Sequence, residues 1–333
     1  INTRLDAETI AYILDHSDAK LLITDTQFSP TMKKALQIYG KNIPIIDIHD
    51  DQAIFKDGEG EKIGEMTYEE FLQTGDDDYN WSLPEDEWQA ISLSYTSGTT
   101  GKPKGVVYHH RGSYLMSTGS VTAWNMPNKL TFLYTVPMFH CNGWGYPWTA
   151  ALIHAKIICC RYIVAKDIYN LIDKYKVTHF GGAPIVLSLI ANADEKDKKE
   201  INHKVYVLTA GAPPTSAILE KMDNLGFEVM HVYGLTETYG HILQCAWNEE
   251  WESQSKSEKA DIKARQGVRY PNTEEVCVAD PETYEKVPMD GETMGEILIR
   301  GNVVMKGYYK NMEATETSMK NGWFHSGDLA VVY

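Results

Sequence analysis

The chain has 333 residues, of which 43 % are hydrophobic and 11 % aromatic, so it can bury a substantial core and form two or three structural units. Its formal net charge of −15 at pH 7 argues against nucleic acid as a partner, because a binding face would need clustered Lys and Arg. No run approaches about 18 apolar residues and no signal peptide is visible, so the sequence predicts no integral membrane segment.

Strand-like apolar runs alternate with helix-like periodic segments up to about residue 248. This alternation predicts an α/β fold with two mostly parallel sheets flanked by helices. In such sheets, ligands bind beyond the carboxyl ends of the strands. The predicted strands cover residues 20–25, 43–48, 90–95, 106–108, 131–136, 155–160, 178–181, 205–209 and 228–232. The predicted helices lie near residues 8–17, 31–39, 67–74, 110–122, 166–176, 184–193 and 215–225.

A run rich in Gly, Thr and Lys lies between two predicted strands, from Tyr95 to Gly105. Its glycines let backbone N–H groups approach an anion, its hydroxyls add donors, and its lysines add positive charge. The run therefore suits a polyphosphate, although it lacks the spacing of a Walker loop and Pro103 follows the first lysine. The alternative interpretation is a flexible surface turn. The candidate phosphate-binding residues are Thr96, Ser97, Gly98, Thr99, Thr100, Gly101, Lys102 and Lys104.

The sequence pattern changes after residue 248. A charged segment over 251–265 predicts a surface helix or a long loop. Short alternating strands, predicted at 275–279, 295–300 and 328–333 with turn signals between them, indicate a small β-barrel-like subdomain. The predicted division is 1–125 for an α/β subdomain with the phosphate loop, 126–247 for a second α/β subdomain, and 248–333 for the β-barrel-like subdomain.

The cysteines and the adjacent histidines predict no metal site. The five cysteines show neither a disulfide framework nor C-x-x-C spacing, which predicts reduced thiols, no structural zinc and a cytosolic protein. His109 and His110 are interpreted as structural, because neighbouring residues diverge on a helix or strand and chelate poorly. The cysteines are Cys141, Cys159, Cys160, Cys245 and Cys277.

Five distinctive runs follow one another along the chain: Ser97–Gly105, Thr209–Pro213, Tyr233–Thr238, Gly295-Glu296 with Arg300-Gly301, and Gly322–Leu329. In this order they resemble motifs of the adenylate-forming enzymes, which include acyl-CoA synthetases, luciferases and peptide-synthetase adenylation domains. The opening residues are typical of the acyl-CoA synthetase branch, and the pattern looks most like its medium-chain and methylmercaptopropionate-CoA ligases. The resemblance covers the whole chain. It implies the large N-terminal domain of that fold, with ATP, Mg²⁺ and coenzyme A as ligands.

The resemblance also implies a nucleotide site. Glu237 would bind magnesium; on its own it would be interpreted as a residue that stabilises a helix N-terminus. Asp328 would accept hydrogen bonds from both ribose hydroxyls; alone it would be interpreted as a β-turn residue. The 211–213 turn would face adenine; the alternative, which is compatible with that role, is a simple strand-to-helix turn capped by Thr215 or Ser216. The implied nucleotide contacts are Gly211, Ala212, Pro213, Tyr233 (stacking on adenine), Gly234, Thr236 (on the α-phosphate) and Asp328, and the implied catalytic residues are Thr96, Lys104, His140, Thr236 and Glu237.

An acyl pocket is implied next to these contacts. His140 follows a predicted strand at the position where the family places a residue that gates coenzyme A entry; the alternative is a satisfied, partly buried histidine. Peptide-synthetase adenylation domains use an Asp here to hold the substrate ammonium, which a neutral imidazole cannot do. The sequence therefore favours simple carboxylic acids over α-amino acids. Trp144, Gly181 and Gly182 are predicted to shape the pocket.

The implied activity is acid–thiol ligation, in which ATP converts a carboxylic acid to acyl-AMP and the acyl group passes to coenzyme A. A nucleotide-binding module without turnover, an adenylating enzyme with another acceptor, and a hydrolytic ATPase are the alternatives. The family places a hinge and a small mobile domain with a catalytic lysine after Gly-Asp-Leu. We therefore expect this chain to be an internal fragment that binds ATP and adenylates poorly alone. The expected partners are a small carboxylic acid, ATP and coenzyme A, with a homodimer as the expected assembly.

Overall fold

The computed structural model describes residues 1–56, 58–96 and 101–333, which form two compact units. The first unit comprises residues 1–86 and 95–105, and the second comprises residues 87–94 and 106–333. The division at residues 125 and 247 stays a prediction. Within the described ranges, no helix is long and apolar enough to cross a membrane.

The first unit contains a small parallel sheet packed against two helices. Asp6 caps the first helix by accepting a hydrogen bond from the Thr9 N–H at 2.7 Å, and Gly40, in the left-handed region, ends the second helix. The strand order is β1-β2-β3. The elements are α1 (Ala7–His16), β1 (Leu22–Asp25), α2 (Ser29–Tyr39), β2 (Ile45–Ile48), β3 (Met66–Thr67) and α3 (Tyr68–Leu72).

The rest of the described chain alternates strands and helices before ending in short strands, as the sequence predicts. Its elements are β4 (Ala90–Tyr95), β5 (Gly105–His109), α4 (His110–Ala123), β6 (Thr131–Tyr134), α5 (Cys141–Trp144), α6 (Tyr146–Leu152), β7 (Lys156–Cys159), α7 (Ala165–Tyr175), β8 (His179–Gly182), α8 (Pro184–Ala191), β9 (Val205–Thr209), α9 (Ser216–Asn224), β10 (Phe227–Leu235), β11 (Gly240–Gln244), α10 (Lys256–Lys263), β12 (Val268–Arg269), β13 (Glu275–Ala279), β14 (Gly295–Arg300), β15 (Gly307–Tyr308), α11 (Met312–Ser318), β16 (Met319–Lys320) and β17 (Trp323–Ala330).

A seven-stranded sheet forms the centre of the second unit, with strand order β12-β11-β10-β9-β8-β6-β7. The strands from β10 to β7 are parallel, whereas β11 and β12 pair antiparallel at the other edge. Aliphatic and aromatic side chains of β6, β8, β9 and β10 pack with α7, α8 and α9 into a continuous core. The predicted α/β fold is confirmed, and the carboxyl ends of β9 and β10 lie side by side.

The C-terminal strands form a second, antiparallel sheet of order β13-β14-β17-β16. Its last strand differs from the predicted one: the strand begins at Trp323 and ends at Ala330 rather than running over 328–333. The reason is pairing with β14, where Phe324 lies opposite Ile299 and His325 opposite Leu298. β15 pairs instead with β5, and α10 resolves the helix-or-loop alternative at 251–265 in favour of a helix.

Candidate active site

A tight hairpin between β10 and β11 fixes the polar turn that follows β10. A Cβ atom on Gly234 would lie 1.7 Å from the Gly240 carbonyl oxygen, so only glycine allows the two strands to approach this closely. The buried Thr238 hydroxyl donates to the Gly240 carbonyl at 2.9 Å and accepts from the Leu235 N–H at 3.0 Å. The hairpin therefore holds the intervening residues in one conformation.

Two tyrosine hydroxyls and one backbone amide hold that turn in place. The Tyr108 hydroxyl donates to the Thr236 carbonyl at 2.7 Å, and the Met305 N–H donates to the Glu237 carbonyl at 2.8 Å. The Tyr308 hydroxyl donates to Oε1 of Glu237 at 2.7 Å. Burial raises the pKa of both tyrosines, and the Glu237 charge raises the pKa of Tyr308 further, so both remain neutral donors.

The Glu237 carboxylate fits a cation that keeps most of its own water. Among the residues that the structure describes, no group of three or more His, Cys, Asp or Glu side chains could hold a metal ion. Glu237 is only partly buried, and one of its oxygens is oriented by Tyr308. A single oriented carboxylate suits Mg²⁺, which takes one or two protein carboxylates and completes its shell with water and phosphate oxygens.

The structure brings together the two residues assigned to adenine and ribose. The Tyr233 hydroxyl donates to Oδ2 of Asp328 at 2.5 Å, across 95 residues of sequence. Burial raises the Tyr233 pKa, and the hydrogen bond to Asp328 raises it further, so the tyrosine remains the donor. Asp328 itself is exposed. The hydrogen bond from Tyr233 thus holds the Asp328 carboxylate in place, and the carboxylate remains accessible from solvent.

The turn assigned to the adenine edge, residues 211–213, lies at the carboxyl end of β9 and is exposed. Thr209, the last residue of β9, lies opposite His231 of β10, so this turn begins beside the strand that leads to Tyr233. Thr215 caps α9 by accepting from the Ile218 N–H at 3.4 Å. The capping prediction for Thr215 is confirmed, and the backbone of the turn remains free to meet a ligand.

The segment after His140, labelled α5 above, is a single left-handed turn rather than a regular α-helix. All five residues from Cys141 to Gly145 have positive φ, between 42° and 73°, which costs a non-glycine residue about 1–2 kcal/mol each. Two hydrogen bonds retain it: the Tyr134 hydroxyl donates to the Gly143 carbonyl at 2.8 Å, and the Ser92 hydroxyl donates to Oδ1 of Asn142 at 2.7 Å. The surrounding structure thus imposes this conformation on the turn that carries Trp144.

Trp144 and Gly181 lie against each other, whereas Gly182 faces away. A Cβ atom on Gly181 would lie 3.1 Å from Cζ3 of Trp144. A Cβ atom on Gly182 would instead lie 2.9 Å from Val186 of α8, because successive residues of a strand face opposite sides of the sheet. Gly181 thus shares a wall with Trp144, and the glycine at 182 allows close packing of α8.

His241 of β11 completes this aromatic wall. Its ring meets the Trp144 ring edge-on, with 5.2 Å between centroids. Burial lowers its pKa to about 3, so the imidazole is neutral. His140 is more exposed, but partial burial lowers its pKa as well, which favours the neutral form that the sequence predicts. The two histidines next to Trp144, His241 and His140, therefore favour their neutral forms near neutral pH.

The stem of the predicted phosphate loop is closed by two hydrogen bonds. The Thr96 N–H donates to the Lys104 carbonyl at 3.0 Å, and the Lys104 N–H donates to the Thr96 hydroxyl at 3.1 Å. Lys102 places its ammonium 5.0 Å from the centre of the Tyr12 ring, a cation–π distance. Ser97, Gly98, Thr99 and Thr100 lie outside the described residues; Gly101 lies within them and is exposed.

His109, the first of the two adjacent histidines, has a structural role, as predicted. Its Nδ1 accepts from the Gly112 N–H at 3.0 Å and caps α4, which leaves Nε2 as the donor to the Val304 carbonyl at 3.1 Å. Burial lowers the His109 pKa and keeps this tautomer neutral. Sequence analysis gives no role to Tyr308, His241 or Glu296, of which His241 and Glu296 are buried.

Comparison with known proteins gives one consistent result. The family described as AMP-binding enzyme matches residues 1–309. A peroxisomal acetate/butyrate–CoA ligase of Arabidopsis thaliana is 45 % identical over 340 residues, and an acetate–CoA ligase of Humulus lupulus is 47 % identical over 340 residues; each match covers 99 % of this chain and 60 % of the relative. The chain thus spans about three fifths of the length of these relatives. The inhibitor-bound N-terminal domain of FACL13 from Mycobacterium tuberculosis superposes with a TM-score of 0.79 at 25 % identity, covering 99 % of this chain and 75 % of that one.

Proposed function

The chain belongs to the AMP-binding enzyme family, and from this premise we propose that the protein is an acyl-CoA ligase that activates a small carboxylic acid with ATP. One observation carries the proposal: the turn after β10 presents an oriented Glu237 carboxylate, while Tyr233 of the same strand holds Asp328. A carboxylate that could bind the metal just after β10, and a ribose acceptor on β17 held by Tyr233 of β10, fit the chemistry of nucleotide activation.

The proposed reaction has two steps. A carboxylate oxygen of the acid attacks the α-phosphorus of ATP, the bond to the bridging oxygen breaks, and pyrophosphate leaves with that oxygen. The thiol of coenzyme A then attacks the acyl carbon, the bond from that carbon to the AMP oxygen breaks, and the thiol proton passes to solvent or base. Magnesium bound at Glu237 would offset negative charge on the phosphate oxygens. Thr236, fixed by Tyr108, would donate to the α-phosphate.

Further contacts with ATP are proposed from the same resemblance. Residues 96–104 would bind phosphate oxygens through backbone N–H groups, hydroxyls and lysines. The exposed backbone of residues 211–213 would meet the adenine edge, and Tyr233 would stack on the base while its hydroxyl holds Asp328. The carboxylate of Asp328 would accept from the ribose hydroxyls.

We propose that the acid is a short to medium aliphatic or thioether acid, and the similarity to acetate and butyrate ligases favours the short end. The wall formed by Trp144, Gly181 and His241 is uncharged, so it offers no partner for a charged substrate tail. The relatives named above are ligases for acetate and butyrate. His140 would gate entry of coenzyme A.

Compartment and assembly are also proposals. Five free thiols support a reducing compartment such as the cytosol, although one relative is named as peroxisomal. A homodimer is proposed as the assembly, to be tested by light scattering.

Acid-dependent ATP–pyrophosphate exchange by the intact protein tests the proposed function. We expect exchange and acyl-CoA formation with acetate, butyrate or hexanoate, and none with alanine. Exchange without thioester formation would indicate another acceptor, and ATP hydrolysis without exchange would indicate a hydrolytic ATPase. Binding of ATP without either activity would indicate a nucleotide-binding module.

Asp328→Ala is expected to weaken ATP binding by at least ~10-fold, because hydrogen bonds to a charged group contribute about 1.5–3 kcal/mol each. The loss should shrink with 2′,3′-dideoxy-ATP, which lacks the hydroxyls. Isothermal titration with both nucleotides measures the difference. Asp280→Ala is the control, since it removes an exposed turn carboxylate that accepts only from local backbone amides and a threonine. An equal penalty with both nucleotides would show that Asp328 acts elsewhere.

A further inference from the structure

Glu296 is a buried carboxylate whose hydrogen bonds go to the segment that carries Asp328. The residue lies on β14 and is 8 % exposed. Its Oε1 accepts from the Gly327 N–H at 2.8 Å, and its Oε2 lies 3.0 Å from Nδ1 of His325. The other His325 nitrogen lies 3.3 Å from the Tyr284 hydroxyl. Both partners of the carboxylate are therefore close neighbours of Asp328 in sequence.

The strand pairing shows why a carboxylate is needed there. His325 lies opposite Leu298, and Leu329 lies opposite Glu296. Between these two pairs β17 therefore spans four residue steps where β14 spans only two. The extra residues form a bulge around Gly327, which has a φ of 75°. A bulge leaves backbone N–H groups without a partner in the ladder. Glu296 accepts from one of them, and the Ser326 hydroxyl accepts from the Asp328 N–H at 3.0 Å.

Burying a carboxylate costs free energy unless all its oxygens are paired. Stabilising the sheet therefore does not by itself explain why Glu296 is at this position. A regular ladder between β14 and β17 would satisfy the same backbone groups without any charge. The bulge has a different consequence: it directs Asp328 outward, where its Oδ2 accepts from Tyr233. The Glu296 carboxylate thus supports a departure from regular pairing that places one exposed aspartate.

We propose that Glu296 is a positioning residue for the nucleotide, which holds the bulge of β17 in the shape that presents Asp328 to the ribose. This inference rests on the proposed function, since it requires that Asp328 binds the ribose. His325 orients the same carboxylate from the other side and takes part in the same support. Glu296 itself touches no substrate atom.

Binding of Mg·ATP and Mg·2′,3′-dideoxy-ATP to the intact protein tests the proposal through the difference between the two ligands. Glu296→Ala should weaken ATP binding by about 5-fold or more and dideoxy-ATP binding by less than about 2-fold, because the lost contact acts on the hydroxyls alone. Glu296→Gln keeps the shape and one acceptor, so about 3-fold is expected for ATP. Glu275→Gln, on neighbouring β13 and paired with Lys286, is the matched control and should change neither affinity.

A double variant separates positioning from general destabilisation. Because Glu296 acts through Asp328, Glu296→Ala should add less than about 2-fold to the ATP penalty of Asp328→Ala. Equal losses of affinity for ATP and dideoxy-ATP in Glu296→Ala would overturn the proposal, and so would a double variant whose ATP penalty is the full sum of the two single penalties. If Glu296→Ala does not fold, Glu296→Gln replaces it. An unchanged ratio of ATP to dideoxy-ATP affinity in that variant would overturn the proposal as well. If Asp328→Ala itself shows no ribose-dependent loss, the proposed function of Asp328 fails instead.

Discussion

Replacing Glu237 by glutamine is expected to slow magnesium-dependent adenylation by at least ~100-fold, or about 2.7 kcal/mol of transition-state stabilisation. The amide keeps the shape of the side chain and can still accept from Tyr308, but it removes the negative charge that would hold the cation. The measurement is acid-dependent ATP–pyrophosphate exchange by the intact protein over a magnesium titration. We expect the variant to need far more magnesium and to remain slow at saturation.

The same strand supplies a matched control. Glu228 lies near the start of β10, where it is exposed and paired with Lys204, so Glu228→Gln should leave exchange unchanged. Tyr308→Phe should give an intermediate result, since it removes the hydroxyl that orients Oε1 of Glu237 but leaves the charge. Binding of magnesium with ATP, followed calorimetrically, gives a second readout besides turnover. Near-normal exchange of Glu237→Gln at limiting magnesium would contradict the assignment.

Most of the fold could be predicted because its signals are local. Each strand from β6 to β10 is a short apolar run bounded by turn residues, and each helix between them has its own periodicity or cap, as at Thr215. β11 was missed because Gly240–Gln244 follows β10 after a very short turn and reads as a continuation of the Tyr-Gly-Leu-Thr-Glu run. The end of β17 was misplaced because a bulge around Gly327 depends on pairing with β14.

In the candidate site, too, residues within one local run could be predicted, whereas residues that meet only in the folded chain could not. Thr236 and Glu237 are adjacent in sequence, so one run was enough to single out both. Tyr308 lies 71 residues from Glu237, and no local pattern marks it as the donor to that carboxylate. Glu296 was noted within a family run but given no role, because only the buried contacts to Gly327 and His325 reveal one.

Two glycines of the predicted site also have a packing role. The sequence assigned Gly234 to the nucleotide and Gly182 to the acyl pocket. In the structure, Gly234 allows β10 and β11 to approach, and Gly182 allows α8 to pack on the sheet. Gly181 alone meets Trp144. A glycine in a motif indicates that some atom approaches the backbone closely, and the structure is needed to identify that atom.

Replacing Trp144 by alanine is expected to move the chain-length optimum to longer acids. Trp144 is 5 % exposed and packs between Gly181 and His241, so its removal would open space along the uncharged wall. Each additional buried methylene contributes up to ~0.8 kcal/mol, or about 4-fold in affinity, until the pocket is full. Three more methylenes would therefore raise the relative preference for the longer acid by up to about 60-fold.

The measurement is kcat/KM of the intact protein for unbranched acids from acetate to decanoate. Truncating a buried tryptophan costs about 3–5 kcal/mol of stability, so thermal unfolding must be followed in parallel. Trp124→Ala is the matched control: Trp124 is equally buried in the same core, but its ring meets Phe132, Tyr146 and His179 rather than Gly181. It should lower stability similarly without moving the optimum.

Gly181→Ala tests the same wall in the opposite direction. Its added methyl would lie 3.1 Å from the Trp144 ring and 3.2 Å from Val136, closer than ordinary packing allows, and we expect the displaced tryptophan to narrow the space proposed for the acid. The preference should then move to shorter acids, while Gly182→Ala, whose methyl meets Val186, should destabilise α8 without changing it. Opposite shifts from Trp144→Ala and Gly181→Ala would place both residues at the end of the acyl chain. An optimum that moves in neither variant would mean that Trp144 is a packing residue and that the floor of the pocket lies elsewhere.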